Sequence, residues 1–112
     1  MRQVGVLAAA GMHALDHHVA RLADDHARAR RLAEALAVAR PDVVDTSAVD
    51  TNIVVLDLSR GPGAPELAAA ARERGVGVSV LGAHVARLVT HLDVDDAGID
   101  HACQVLSELL AA

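Results

Sequence analysis

The chain has 112 residues and a formal net charge of -5, so it holds one small domain and not two independent cores. Its hydrophobic fraction of 53% is led by alanine, and with Phe, Trp and Tyr all absent the core must be aliphatic and thin. Every basic residue is an arginine, which excludes any chemistry that needs a lysine amine of this chain; the acidic balance without aromatics excludes a nucleic-acid surface.

In chain order, Val4 to Met12 is apolar nearly all round. It imitates a short signal peptide, but it runs unbroken into a helical pattern and falls short of a membrane span. From Leu15 the apolar positions Leu15, Val19, Leu22, His26, Ala29, Ala33 and Leu36 follow in alternating steps, which predicts one long amphipathic helix that Pro41 ends. Gly11 is expected to bend its junction with the apolar start. An all-round apolar segment is normally buried on several sides, so in so thin a chain it points to a missing partner surface.

Thr51 to Leu58 reads as a buried strand and Ser59 to Gly63 as a loop. Pro65 suits a first helical turn, and Leu67 to Arg74 followed by Gly75 predicts a short helix with a glycine cap. Val76, Val78 and Val80 alternate with Gly77 and Ser79, giving a second strand. After a turn at Gly82, Val85 to His91 forms a third, with Val85, Arg87, Val89 and His91 on one face and Ala86, Leu88 and Thr90 on the other. Asp93 or Asp95 caps a last helix that turns Ile99, Ala102, Cys103, Leu106 and Leu109 inward.

Arg87 is the residue most suggestive of binding, because a guanidinium within an aliphatic strand needs an anionic partner and its planar fork suits a carboxylate. The plainer reading is an edge-strand arginine pointing into water or paired with Asp57 or Asp93. His13 and His17 share a helix face but have no evident third ligand, so no metal site is expected. His26, on the apolar seam, reads as a hydrogen-bonded core or interface histidine. The single Cys103 reads as a small buried hydrophobe in a reduced, cytoplasmic protein.

Four stretches resemble one family. Met1-Arg2-Gln3-Val4-Gly5 through Gly11 is similar to the segment just after the cofactor lysine of low-specificity threonine aldolases, with Val4 in place of the usual alanine. Leu22-Ala23-Asp24-Asp25-His26-Ala27 with Arg31-Leu32-Ala33 resembles that family's long helix, and Thr51-Asn52-Ile53-Val54 its central strand. Arg87-Leu88-Val89-Thr90-His91-Leu92-Asp93-Val94 resembles its C-terminal signature.

The resemblance implies an α/β small domain of an aminotransferase-fold, pyridoxal-phosphate-dependent lyase that cleaves 3-hydroxy amino acids such as threonine into glycine and an aldehyde. A long N-terminal helix would precede a three or four stranded, mostly antiparallel sheet covered by helices. Residues 1–38 would be a helical interdomain segment and 49–112 the sheet with its helices, as a C-terminal domain whose cofactor-binding partner domain is absent. Arg87 would hold the substrate carboxylate and Arg2 would lie near the cofactor phosphate, from the neighbouring subunit of a dimer or tetramer. Thr51, Asn52, Thr90 and His91 would support the site. The lysine that holds pyridoxal phosphate, the acid on its ring nitrogen and the ring-stacking histidine lie upstream in the family, so this chain alone is expected to be inactive. Two other readings stay open: a non-enzymatic module that dimerises through its helix from Met12 to Val38, and a portion of another amino-acid lyase of the same superfamily.

Overall fold

A computed structural model describes residues 1–112. In chain order it contains α1 (Val4–His17), α2 (Leu22–Ala39), a 3-10 turn at Thr46–Ala48, β1 (Ile53–Asp57), α3 (Ala64–Glu73), β2 (Ser79–Val80), β3 (Val85–Val89) and α4 (Asp96–Ala111). The strands form one antiparallel sheet in the order β1-β3-β2, the small α/β domain that the sequence predicted. No helix is long and apolar enough to cross a membrane.

Strict alternation builds the sheet. Val54 and Leu56 of β1 and Ala86 and Leu88 of β3 are buried, and they share one core with Ala29, Leu32, Ala33 and Leu36 of α2, Leu67 and Ala71 of α3, and Val105, Leu106 and Leu110 of α4. The helices therefore cover one face of the sheet, and the odd-numbered strand residues face away from them. α4 starts as expected on Asp95, whose side chain accepts from the Gly98 N–H. α3 carries Pro65 in its first turn and ends in a Schellman motif. There the N–H of Val76 reaches the Ala71 carbonyl and that of Gly75 the Arg72 carbonyl, with Gly75 at φ 80°.

Two expectations are corrected. The long N-terminal helix is two helices, broken by turns at His18–Arg21. His17 and His18 close the first and Asp24 and Asp25 open the second, the charge order that suits a helix end followed by a helix start. Gly11 sits inside α1 without ending it. Leu15 and Val19 consequently leave the seam and stand exposed, while α2 buries Asp25 in place of His26, which is only half-buried. The second strand is also shorter than Val76–Val80 implied, because only Ser79 and Val80 pair with β3.

α1 buries none of its residues. Val6 and Leu15 are each 71% exposed, and the molecule measures 48 × 28 × 25 Å. Its radius of gyration of 15.8 Å exceeds the roughly 13 Å of a compact domain of this length, as a projecting helix requires.

Candidate functional site

β3 is the central strand, and Arg87 is at its midpoint on the face the helices leave uncovered. Register places it between Val55 of β1 and Ser79 of β2, with Val85 and Val89 two residues to either side on its own strand. Ile53, opposite Val89, completes an apolar surface around a single cation.

That cation is unpaired. Arg87 is half-buried, its Nε atom is buried without a hydrogen-bond partner, and none of the chain's ion pairs includes it. A pairing with Asp57 or Asp93 is not formed. Asp57 accepts instead from the N–H of Ser59 (2.9 Å) and from its hydroxyl, and these bonds hold its carboxyl below the usual carboxylate range. Asp93 stands out in solvent, its carboxylate 3.9 Å from the His91 ring. A buried donor left unsatisfied costs about 1–3 kcal/mol, and a bound carboxylate is the group that would remove that cost while neutralising the charge.

The supporting residues gather at one end of the sheet. Thr90 and Asn52 form a reciprocal clasp in which the Thr90 N–H donates to the Asn52 carbonyl (2.9 Å) and Asn52 Nδ2 donates to the Thr90 carbonyl (2.7 Å). Thr90 is buried, and its hydroxyl donates to the Asp25 carbonyl at 2.6 Å, tying β3 to α2. Thr51 and His91 are exposed beside this clasp and serve their own turns: Thr51 Oγ1 accepts from the Ile53 N–H, and His91 Nδ1 accepts from the Asp93 N–H. Arg2 is exposed just ahead of α1, on an element that is not docked against the sheet.

Sequence reasoning missed Asp25. Its side chain is 3% exposed and accepts from Arg21 at 2.7 Å, with Arg28 at 4.0 Å. Arg28 in turn donates to Asp96 at 2.8 Å, so one charged chain links the start of α2 to the start of α4. The bond from Arg28 lowers the Asp96 carboxyl below its ordinary range. Arginines four before and three after an aspartate on one helix were the legible signal.

Elsewhere, burial pushes the Cys103 thiol up and keeps it a poor nucleophile. The His13 ring lies 4.4 Å from that of His17 and 5.4 Å from that of His18, but no group of three His, Cys, Asp or Glu side chains is placed to hold a metal ion.

Known proteins match along the whole chain. The sequence profile described as beta-eliminating lyase matches residues 1–59. The chain is 36% identical over 111 residues to a protein of Arabidopsis thaliana named probable low-specificity L-threonine aldolase 2, an alignment covering 97% of this chain and 31% of that protein. It is 44% identical over 96 residues to the low specificity L-threonine aldolase of Escherichia coli O157:H7, covering 84% of this chain and 26% of the relative. The chain thus spans between a quarter and a third of the length of these relatives. Arg87 and Thr90 lie beyond the segment the profile covers, and Asn52 within it, but all three fall inside the stretch aligned with the Arabidopsis protein, so one lineage accounts for both ends, and the chain belongs to the beta-eliminating lyase family.

Proposed function

We propose that the chain is the carboxylate-gripping portion of a threonine-aldolase-like lyase, one that cleaves a 3-hydroxy amino acid such as threonine into glycine and an aldehyde. The observation that carries this reading is the Arg87 guanidinium, half-buried and unpaired on an open apolar face. In this reading its Nε and one terminal nitrogen bind the substrate carboxylate side-on. The neighbouring valines exclude water from the pair, and the Thr90–Asn52 clasp fixes the strand that carries it.

The cofactor of this reading is pyridoxal phosphate, which when bound supplies the electron sink for cleaving the bond between Cα and Cβ. The residues present fit part of that task. Arg2 stands at the exposed start of a helix, where charge and dipole both suit a phosphate, and it would serve a neighbouring subunit of a homo-oligomer. No lysine is present to hold the cofactor covalently, so that role belongs to a cofactor-binding domain of the kind the longer relatives have room for. The chain alone is accordingly inactive, and its working place is the cytoplasm.

The test joins this chain to the preceding part of the Escherichia coli relative and follows acetaldehyde release from threonine. A soluble, folded chimera should turn over, and Arg87→Lys should lower kcat/KM by at least about tenfold, because an ammonium cannot reproduce the fork. In the chain alone, Arg87→Leu should leave the melting temperature unchanged or raise it, since the orphaned donor disappears. Intact turnover in a folded Arg87→Lys chimera, together with a lower melting temperature for Arg87→Leu, would make Arg87 a structural strand residue and end this proposal.

A further inference from the structure

A cavity of about 250 Å³ lies away from the Arg87 side chain. It opens at the place where the second strand stops short. Its floor is aliphatic, with Leu32, Leu88, Ile99 and Leu106, and its rim carries Asp93 and Asp95.

The strand register explains why the cavity exists. The Thr90 N–H bonds the Asn52 carbonyl and the Leu58 N–H bonds the His84 carbonyl, so the even-numbered residues of β3 direct their backbone groups to β1. The odd-numbered residues direct theirs the other way. Val85 is used by the N–H groups of Leu81 and Gly82, and Arg87 pairs with Ser79. Val89 comes next, and the ladder would continue through Gly77. It does not: no backbone hydrogen bond joins Val89 to the segment from Gly75 to Val78, which leaves the Schellman turn along a different path. The Val89 N–H and carbonyl therefore form an open edge at the mouth of the cavity, unpaired by protein. Neither arginine nor lysine lines the space, and its one imidazole, His101, already donates through Nε2 to the Arg74 carbonyl at 2.7 Å.

These features specify a ligand. An open N–H and carbonyl on one residue ask for an amide that can accept and donate, as a neighbouring strand would. An aliphatic floor of this size takes a branched side chain of about four carbons. Two carboxylates with no facing arginine or lysine favour an ammonium and repel a carboxylate. We propose that this cavity is a binding site for a small aliphatic α-amino amide, with its amide on the Val89 edge, its side chain against Leu88, Ile99 and Leu106, and its ammonium toward Asp93 and Asp95. The site is independent of Arg87 and of the lyase reading, and its ligand is the opposite of an amino-acid substrate in lacking the free carboxylate.

The experiment titrates the full chain with L-leucinamide and follows backbone amide resonances. Saturable shifts are expected at Val76, Gly77, Val89 and Ile99, with Val55 and Ser79 unmoved. N-acetyl-L-leucinamide, which lacks the charge, glycinamide, which lacks the side chain, and L-leucine, which adds a carboxylate, should each bind at least about threefold more weakly. Asp93→Asn with Asp95→Asn should cost a similar factor while the spectrum stays folded, because asparagine caps a helix as well as aspartate does. The proposal is overturned by the absence of saturable shifts up to about 10 mM leucinamide, corresponding to the weakest binding worth the name. Equal binding of the acetylated amide, or shifts centred on Val55, Arg87 and Ser79, would overturn it as well.

Discussion

α1 and α2 are neighbouring helices with opposite fates. α2 is amphipathic, with charged residues on one side and Ala29, Leu32, Ala33 and Leu36 buried on the other, and it packs on β1 and α4. α1 is more apolar than α2 and carries a single acidic residue, Asp16, yet it buries nothing. A helix with one apolar face finds its place within a thin domain. One that is apolar all round has more surface to hide than 112 residues of aliphatic chain can cover. Hydrophobicity alone therefore does not identify the core here; its arrangement around the helix does.

The sharpest way to break this contrast is to damage each region in turn. Leu56→Ala opens a hole beneath α2 and should cost about 2 to 5 kcal/mol in urea unfolding, enough to unfold much of a domain this small. Removing residues 1–17 should change the unfolding free energy by no more than about 0.5 kcal/mol, while making the chain more soluble, since exposed apolar surface is lost. A loss comparable to that of Leu56→Ala would mean that α1 is docked in solution after all.

A smaller effect tests how the site strand is tied to α2. Thr90→Val keeps the shape and removes the hydroxyl that bonds the Asp25 carbonyl, so stability should fall by about 1 to 2 kcal/mol. An unchanged unfolding midpoint would show that the clasp with Asn52 holds β3 by itself.

The smallest effect is the response to acid. Asp96, Glu108, Asp45 and Asp57 all have carboxyls lowered by hydrogen bonds in the folded chain: from Arg28 to Asp96, from Arg74 and Gln104 to Glu108, and from Ser47 and Ser59 to the other two. Their contribution is complete above the unfolded carboxyl values, near about 4, and is lost as pH falls through the lower folded values. A melting curve should therefore drop modestly below about pH 4, less so in high salt. None of these groups lies on α1, so the chain without residues 1–17 should follow the same profile. A flat profile in the intact chain would show that these solvent-exposed bonds contribute nothing.

The same contrast accounts for what could be read from the sequence. The alternation in Val85 to Thr90 gave the faces of β3 correctly, down to the burial of Thr90, because period-two burial is a local property. Pro65 and Gly75 marked the ends of α3 for the same reason. The break at His18–Arg21 escaped notice because the apolar spacing runs straight through it, and only the change from histidines to aspartates signals two helix ends. Asp25 was hidden because burying a charge depends on partners, here Arg21 and Arg28, that a hydrophobic pattern does not score. The residues gathered around Arg87 became visible only through register, which pairs strands far apart in the chain. The early end of β2 followed from a turn geometry that sends the valines after Gly75 away from the sheet.

Strand order has a consequence for how this chain is made. β1 pairs only with β3, which is synthesised last of the three. At about 5 to 20 residues per second, the ribosome needs on the order of 2 to 6 seconds to carry synthesis from Asp57 through Val89. For that interval the run Ile53-Val54-Val55-Leu56 exists as an unpartnered edge, rich in β-branched residues and without a charge until Asp57. The nascent chain is at its most adhesive then, and a chaperone that shields it needs to stay only until the central strand emerges.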